Sequence, residues 1–244
     1  AEQGHGEEAL DCLAHMSLEG LSPDDVTYLC ILKACGYAGA IGKGREIHAQ
    51  LERNGLLESD PAAGIALVDM YCKCGSLDLA QEVFDKLPVQ DTTSWNSLMA
   101  GYAQLGESEN VLNVFDSMLK ESIKPNNITF VIILNACSRI GLFNSSLMYL
   151  EAMSRDYGII PTAEHHACIV DIFARVGQID MALAMVKRLP FNPNLDVWHT
   201  VLGSCRKCGN VELGKEVFKN AVSIGKQHAA SYVLMSHIYS GVAT

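Results

Sequence analysis

Apolar residues fall at three- and four-residue spacing through most of the chain, the period of helices that bury one face. A glycine interrupts that pattern at near-constant distance. Gly4, Gly39, Gly75, Gly106, Gly141, Gly177 and Gly209 are separated by 35, 36, 31, 35, 36 and 32 residues. A fixed spacing in the range of roughly 20–50 residues marks a solenoid, in which each unit buries its apolar face only against its neighbours. Each complete unit reads as two helices around a short turn. The glycine sits in that turn, where a left-handed backbone conformation ends the first helix. Proline follows many of the second helices, at Pro23, Pro88, Pro125, Pro161 and Pro193, and cannot continue them.

Register on the glycines divides the chain into a truncated unit 1–24, complete units 25–60, 61–91, 92–126, 127–162, 163–194 and 195–228, and a truncated unit 229–244. The fourth place of the first helices carries Tyr28, Trp95, Phe130, His166, Trp198 or Tyr232. Four positions on, Leu32, Met99, Leu134, Val170 or Leu202 lies on the same face. The twentieth place is small (Ala9, Gly44, Ala80, Ser146, Ala182, Gly214), which permits close helix approach. A bulky residue such as Phe84, Phe115, Leu150 or Phe218 follows four positions later. The predicted fold is all-α, a right-handed α-solenoid of helix-turn-helix repeats with about 13 helices.

Composition narrows the function classes. No apolar run approaches the roughly 18 residues a membrane span needs, and Ile128–Leu134 is the most apolar stretch. The nine cysteines are an odd number, mostly on apolar helix faces, which reads as free buried thiols in a reducing compartment. Residue 1 falls inside a repeat, so the chain reads as a fragment with any targeting segment upstream. The net charge of −10 opposes phosphate binding in bulk. Its acidic residues, however, concentrate on second helices (Glu46, Glu52, Asp78, Glu82, Asp85, Glu107, Glu109, Glu212, Glu216). Lys33, Lys73, Arg139, Arg175, Arg206 and Lys207 recur near the ends of first helices as a thin basic stripe.

The units resemble the pentatricopeptide repeat family in its plant organellar form with mixed repeat lengths. Val26-Thr27-Tyr28 resembles the opening of a long unit, and Leu67-Val68-Asp69-Met70-Tyr71-Cys72-Lys73-Cys74-Gly75 a short one. Ser94-Trp95-Asn96-Ser97-Leu98 with Gly101-Tyr102 is similar to the standard 35-residue type. Arg155-Asp156-Tyr157-Gly158-Ile159, followed by Pro161-Thr162-Ala163-Glu164-His165, resembles a long-to-short junction. Val197-Trp198, Gly209 to Gly214 and Tyr232 to Tyr239 resemble two E-type extension motifs. The tetratricopeptide repeat, a peptide-gripping hairpin, is the competitor, but its period is a steady 34 or so.

The resemblance implies binding of single-stranded RNA at one base per unit. The fifth and last residues of a unit read the base, and the second residues of successive units sandwich it. In the standard unit these places hold Asn96, Asn126 and Thr93; the pair of asparagines implies a pyrimidine, cytosine above uracil. The short unit 61–91 offers Ile65 with Asp91. The long units offer Leu29 with Asp60 and Val131 with Thr162, and Val26 and Ile128 are their second residues. The last short unit pairs Ala167 with Asn194. Apolar fifth residues cannot hydrogen-bond to a base and also read simply as helix surface. Outside the repeat register, Pro125-Asn126-Asn127 reads as a loop and helix cap.

Cys205-Arg206-Lys207-Cys208 has the spacing of half a zinc site, with no second pair of ligands. His165-His166 reads as packing, with His166 at the aromatic place. The H-x-E and P-C-x-x-C deaminase signature of many relatives is absent, so no catalytic residue, metal or cofactor is expected. The implied partners are single-stranded organellar RNA and, through the E-type motifs, a deaminase or editing-complex protein, with no membrane and no small-molecule substrate. The implied location is mitochondrion or chloroplast. The alternative is a protein–protein interaction scaffold of tetratricopeptide type within an RNA-processing complex.

Overall fold

The computed structural model describes residues 6–187, 189, 193–225 and 228–241; Gly4 lies outside them. Fifteen helices and no strand occur among the described residues. They divide between two compact units, 1–125 and 126–244. In the first unit lie α1 (Gly6–Leu18), α2 (Asp25–Ala38), α3 (Ile41–Arg53), α4 (Leu56–Ser59), α5 (Pro61–Lys73), α6 (Leu77–Asp85), α7 (Thr92–Gln104) and α8 (Ser108–Lys120). The second holds α9 (Asn127–Ile140), α10 (Phe143–Arg155), α11 (Ala163–Arg175), α12 (Ile179–Lys187), α13 (Leu195–Lys207), α14 (Val211–Ile224) and α15 (Ala229–Gly241). Six hairpins supply twelve of them, and the single-turn α4 with one helix in each terminal repeat brings the number above the expected 13 or so. No described helix is long and apolar enough to cross a membrane.

The helices pair as hairpins, α5 with α6 and α7 with α8 in the first unit, α9 with α10 and α13 with α14 in the second. Their first helices stack on one another: α2 on α5 and α5 on α7, then α9 on α11, α11 on α13 and α13 on α15. The solenoid architecture expected from the glycine period is therefore present. Gly39, Gly75, Gly106, Gly141, Gly177 and Gly209 all have φ between 64° and 83°, the left-handed region in which any Cβ is strained. Gly101 serves a different purpose. A Cβ there would come within 2.1 Å of the Cys72 sulfur, so glycine sets how closely α7 packs on α5.

The core follows the repeat register in most hairpins. Tyr28, Trp95, Phe130 and Trp198 are buried at the fourth place, with Leu32, Met99, Leu134 and Leu202 four residues on. Phe84 meets Trp95 edge-to-face at 4.7 Å between ring centroids, and Phe130 meets Tyr157 at 5.5 Å. Such contacts add to the burial of the rings themselves. Two fourth-place residues depart. In α11 the buried histidine is His165, at 1% exposure, while His166 is only half-buried and its Nδ1 lies 2.8 Å from the Thr162 carbonyl. In α15 the buried set is Ser231, Met235 and Ile238. Tyr232 is 48% exposed and packs its edge on Phe218, because that helix turns the preceding position inward. Leu150 and Phe218, expected as bulky core residues, are half-buried.

Cys35, Cys72, Cys137, Cys168 and Cys205 are buried free thiols. Burial pushes Cys72 and Cys168 up to about 12, and Cys35, Cys137 and Cys205 up to about 11. Cys12, Cys30 and Cys208 are exposed instead. Within the C-x-x-C pair, one cysteine is therefore core and the other caps α13 at the surface.

Candidate nucleic-acid interface

The last residue of each of the six repeats from 1–24 to 163–194 is the N-cap of the helix that follows. A helix start leaves its first amide N–H groups without intrahelical partners, and a short polar side chain can supply one acceptor. Asp24 Oδ1 accepts from Thr27 N–H at 2.8 Å, Asp60 Oδ1 from Ala62 N–H at 2.9 Å, and Asp91 Oδ1 from Ser94 N–H at 2.9 Å. In the second unit Asn126 Oδ1 accepts from Thr129 N–H at 3.1 Å and Asn194 Oδ1 from Val197 N–H at 3.1 Å. These bonds, led by the Thr27 hydroxyl, also hold the Asp24 carboxyl below the usual carboxylate range.

The caps of α9 and α11 are reciprocal. The Asn126 N–H donates to Thr129 Oγ1 at 3.0 Å, which closes a capping box. Thr162 N–H donates to His165 Nδ1 at 3.1 Å. His165 Nε2–H then donates to the Asn127 carbonyl at 2.9 Å, joining α11 to the start of α9. That pair of bonds fixes the neutral imidazole tautomer, and burial lowers the His165 pKa. Sequence reasoning missed the part of His165. The signal was available: a hydrogen-bonding residue three positions after the cap recurs as Thr27, Ser94, Thr129 and His165.

Beside the caps, the second residues lie in solvent. Val26 is 65% and Ile128 60% exposed, and Thr93 is exposed as well. One turn further along, Leu29, Ile65, Val131 and Ala167 are half-buried. Asn96 differs from all of these, for its exposure is only 6%. Asp91, Asn126, Thr162 and Asn194 are exposed and Asp60 is half-buried. Asn96 and Asn126 belong to different compact units. Within each unit the structure thus presents, at the starts of α2, α5 and α7 and of α9, α11 and α13, a polar cap next to a solvent-facing second residue.

Two residues of the basic stripe, Lys73 and Arg175, are ion-paired. Lys73 Nζ lies 2.7 Å from Asp69 and 4.5 Å from the centroid of the Tyr37 ring. Arg175 Nε lies 2.6 Å from Asp171, whose carboxylate also accepts from the Ser138 hydroxyl. Exposed pairs of this kind contribute about 0–1 kcal/mol, so a phosphate could displace the carboxylates, but against their competition. No group of three or more metal-ligating side chains forms among the described residues.

Comparison with known proteins places this architecture. The model of the PPR repeat family matches residues 90–139, and the PPR repeat matches 66–90 and 196–225. The chain is 38% identical over 242 residues to the pentatricopeptide repeat-containing protein CRR2, chloroplastic, of Arabidopsis thaliana, covering 98% of this chain and 37% of that protein. It is 36% identical to the mitochondrial pentatricopeptide repeat-containing protein At3g02330 of the same plant, covering 96% of this chain and 26% of the relative. The crystal structure of the maize protein PPR10 superposes with a TM-score of 0.76 at 18% identity, over 99% of this chain and 35% of that one. The same protein in complex with an 18-nucleotide psaJ RNA element gives 0.73 at 17% identity, over 98% and 39%. This chain therefore spans less than half the length of the relatives it matches. Glycine cadence, stacked hairpins and these matches agree: the chain belongs to the pentatricopeptide repeat family.

Proposed function

We propose that this chain binds single-stranded RNA with base selectivity, along the row of first-helix starts. The observation that carries the reading is the recurrent pairing, at those starts, of a polar N-cap with an exposed second residue, apolar in Val26 and Ile128. An apolar side chain held in solvent offers a face to a base, and a capping amide or carboxylate beside it offers hydrogen bonds to the base edge. The RNA complex of PPR10, a protein of the same fold, supports this choice of ligand. Asn126 is the exposed member of the proposed reading pair. Asn96, nearly buried, has to be uncovered as a base enters.

Within the longer proteins that share these repeats, the reading extends to organellar RNA processing. We assign this chain to C-to-U editing, on the resemblance of 195–244 to E-type motifs, with a separate deaminase providing the chemistry. The chloroplastic and mitochondrial relatives support an organellar setting. A protein-interaction scaffold is the second reading, favoured by the net charge of −10 and by the carboxylates that occupy Lys73 and Arg175.

The test is a gel-shift series with single-stranded oligonucleotides that differ by cytosine or uracil at one position, in low and moderate salt. Expected are cytosine-dependent retention at low salt and its steep loss as salt rises. No retention at low salt by a version carrying the upstream repeats would defeat the proposal. A partner retained after RNase treatment, and unaffected by loss of Asn96 and Asn126, would favour the scaffold.

A further inference from the structure

A cleft of about 400 Å³ opens between α6, α7 and α8 in the first unit, within the usual volume range of ligand sites. It is separate from the capped helix starts in its chemistry. Half-buried Tyr102 contributes the accessible ring, while Phe84 and Trp95, at 2% and 5% exposure, form the apolar floor behind it. Asp85 and Glu121 supply two carboxylates, and no lysine or arginine lines the space. Asp85 Oδ1 accepts only from the neutral Gln81 amide, at 2.8 Å, and the Tyr102 hydroxyl donates to Gln81 at 3.4 Å. Neither carboxylate takes part in an ion pair among the described residues. The Trp95 indole N–H is buried and has no acceptor, a cost that a well-placed carbonyl relieves.

These features select against phosphate and for a cation. Two carboxylates without an ion-pair partner, beside the half-buried Tyr102 ring, suit a planar guanidinium, which bonds carboxylates in bidentate fashion and stacks on rings. An ammonium forms neither the fork nor the stack. A peptide backbone adds the carbonyl acceptors that Trp95 lacks. We propose that this cleft is a docking site for an arginine-bearing peptide segment of a protein partner. The site does not depend on RNA reading: it uses none of the cap or second-place residues. Burial first, and Glu107, Cys72, Asp78 and Asp85 after it, raise the pKa of Tyr102, which keeps its proton.

Trp95 and Trp198 are the only two tryptophans, so Trp198→Phe leaves Trp95 as sole fluorescent reporter at the cleft. The probe is the capped peptide Ac-Gly-Arg-Gly-Arg-Gly-amide, with citrulline replacing both arginines in the control. Calorimetry on the unsubstituted chain provides a second measurement that needs no tryptophan replacement. Expected is a saturable change in Trp95 emission with a dissociation constant below about 1 mM. The citrulline peptide should bind at least about tenfold more weakly, as should the arginine peptide to Asp85→Asn with Glu121→Gln. Equal binding of the citrulline peptide, equal binding by the two-carboxamide variant, or no heat with the unsubstituted chain overturns the assignment.

Discussion

Asn126 has two assignable duties, and two substitutions separate them. Asn126→Ala removes the Oδ1 acceptor from Thr129 N–H and from the Thr129 hydroxyl, each 3.1 Å away. Loss of an N-cap costs about 1 kcal/mol. Thr129 is fully buried, and its hydroxyl loses one of its partners, which adds up to about 1 kcal/mol. The total is about 1–2 kcal/mol. Asn126→Asp keeps the oxygen in place, in the manner of Asp24 and Asp91 at their own helix starts. A carboxylate also gains about 0.3–1 kcal/mol from the N-terminal end of the helix dipole. Its pKa should be lowered in the folded chain, as Asp24's is, so the gain is present above the unfolded pKa and is lost as pH falls through the folded one. The assay is urea unfolding with amide exchange at the first turn of α9, alongside the cytosine-versus-uracil gel shift. The alanine variant should be destabilised and should lose base preference. The aspartate variant should match the parent's stability near neutral pH or exceed it by up to about 1 kcal/mol, with preference moved towards uracil. Equal destabilisation by both substitutions would refute the capping argument. Unchanged preference in both would refute base reading by Asn126 while leaving the cap intact.

Other outcomes follow from local geometry. Ser122 has φ of 61° where the chain leaves α8, so Ser122→Gly should raise stability by about 1 kcal/mol in urea unfolding. Gly101→Ala forces a Cβ to 2.1 Å from Cys72; overpacking costs about 1–3 kcal/mol, less about 1 regained in helix propensity, and Cys72→Ala should relieve part of the loss. A thiol-specific reagent near pH 8 should label Cys12, Cys30 and Cys208 first. The five buried cysteines stay protonated, because burial has raised them to about 11 or 12, and should react only on unfolding. His165 and His48 both have pKa values lowered chiefly by burial. Stability should therefore be full above the unfolded histidine pKa and fall as pH drops below it, and His165→Gln should flatten that slope between about pH 7 and 5.

The fold was legible because glycine marks each turn and a small residue marks each close helix approach. Neither signal needs tertiary information. Legibility failed where side-chain direction depends on neighbours. Place counting points Tyr232 inward, whereas α15 buries Ser231, Met235 and Ile238 and leaves the ring half in solvent. The same counting chose His166 over His165, since it does not register that the cap Thr162 draws His165 Nδ1 inward. The basic stripe looked available because carboxylates four residues earlier, Asp69 and Asp171, were not weighed against Lys73 and Arg175. The near-burial of Asn96 could not be read either, for polarity predicts exposure and packing on α7 decides otherwise. The cleft beside Trp95 draws on three helices, and no local pattern announces it.

Because the final position of six successive repeats, from Asp24 to Asn194, also starts the next helix, any residue there answers to folding before it answers to a ligand. Only a short side chain ending in oxygen satisfies that first demand, which narrows the vocabulary to aspartate, asparagine, serine and threonine. Under the proposed reading, specificity could be rewritten within those four letters without loosening the scaffold. A long or apolar replacement would weaken a helix start by about 1 kcal/mol at the very place it was meant to choose a base.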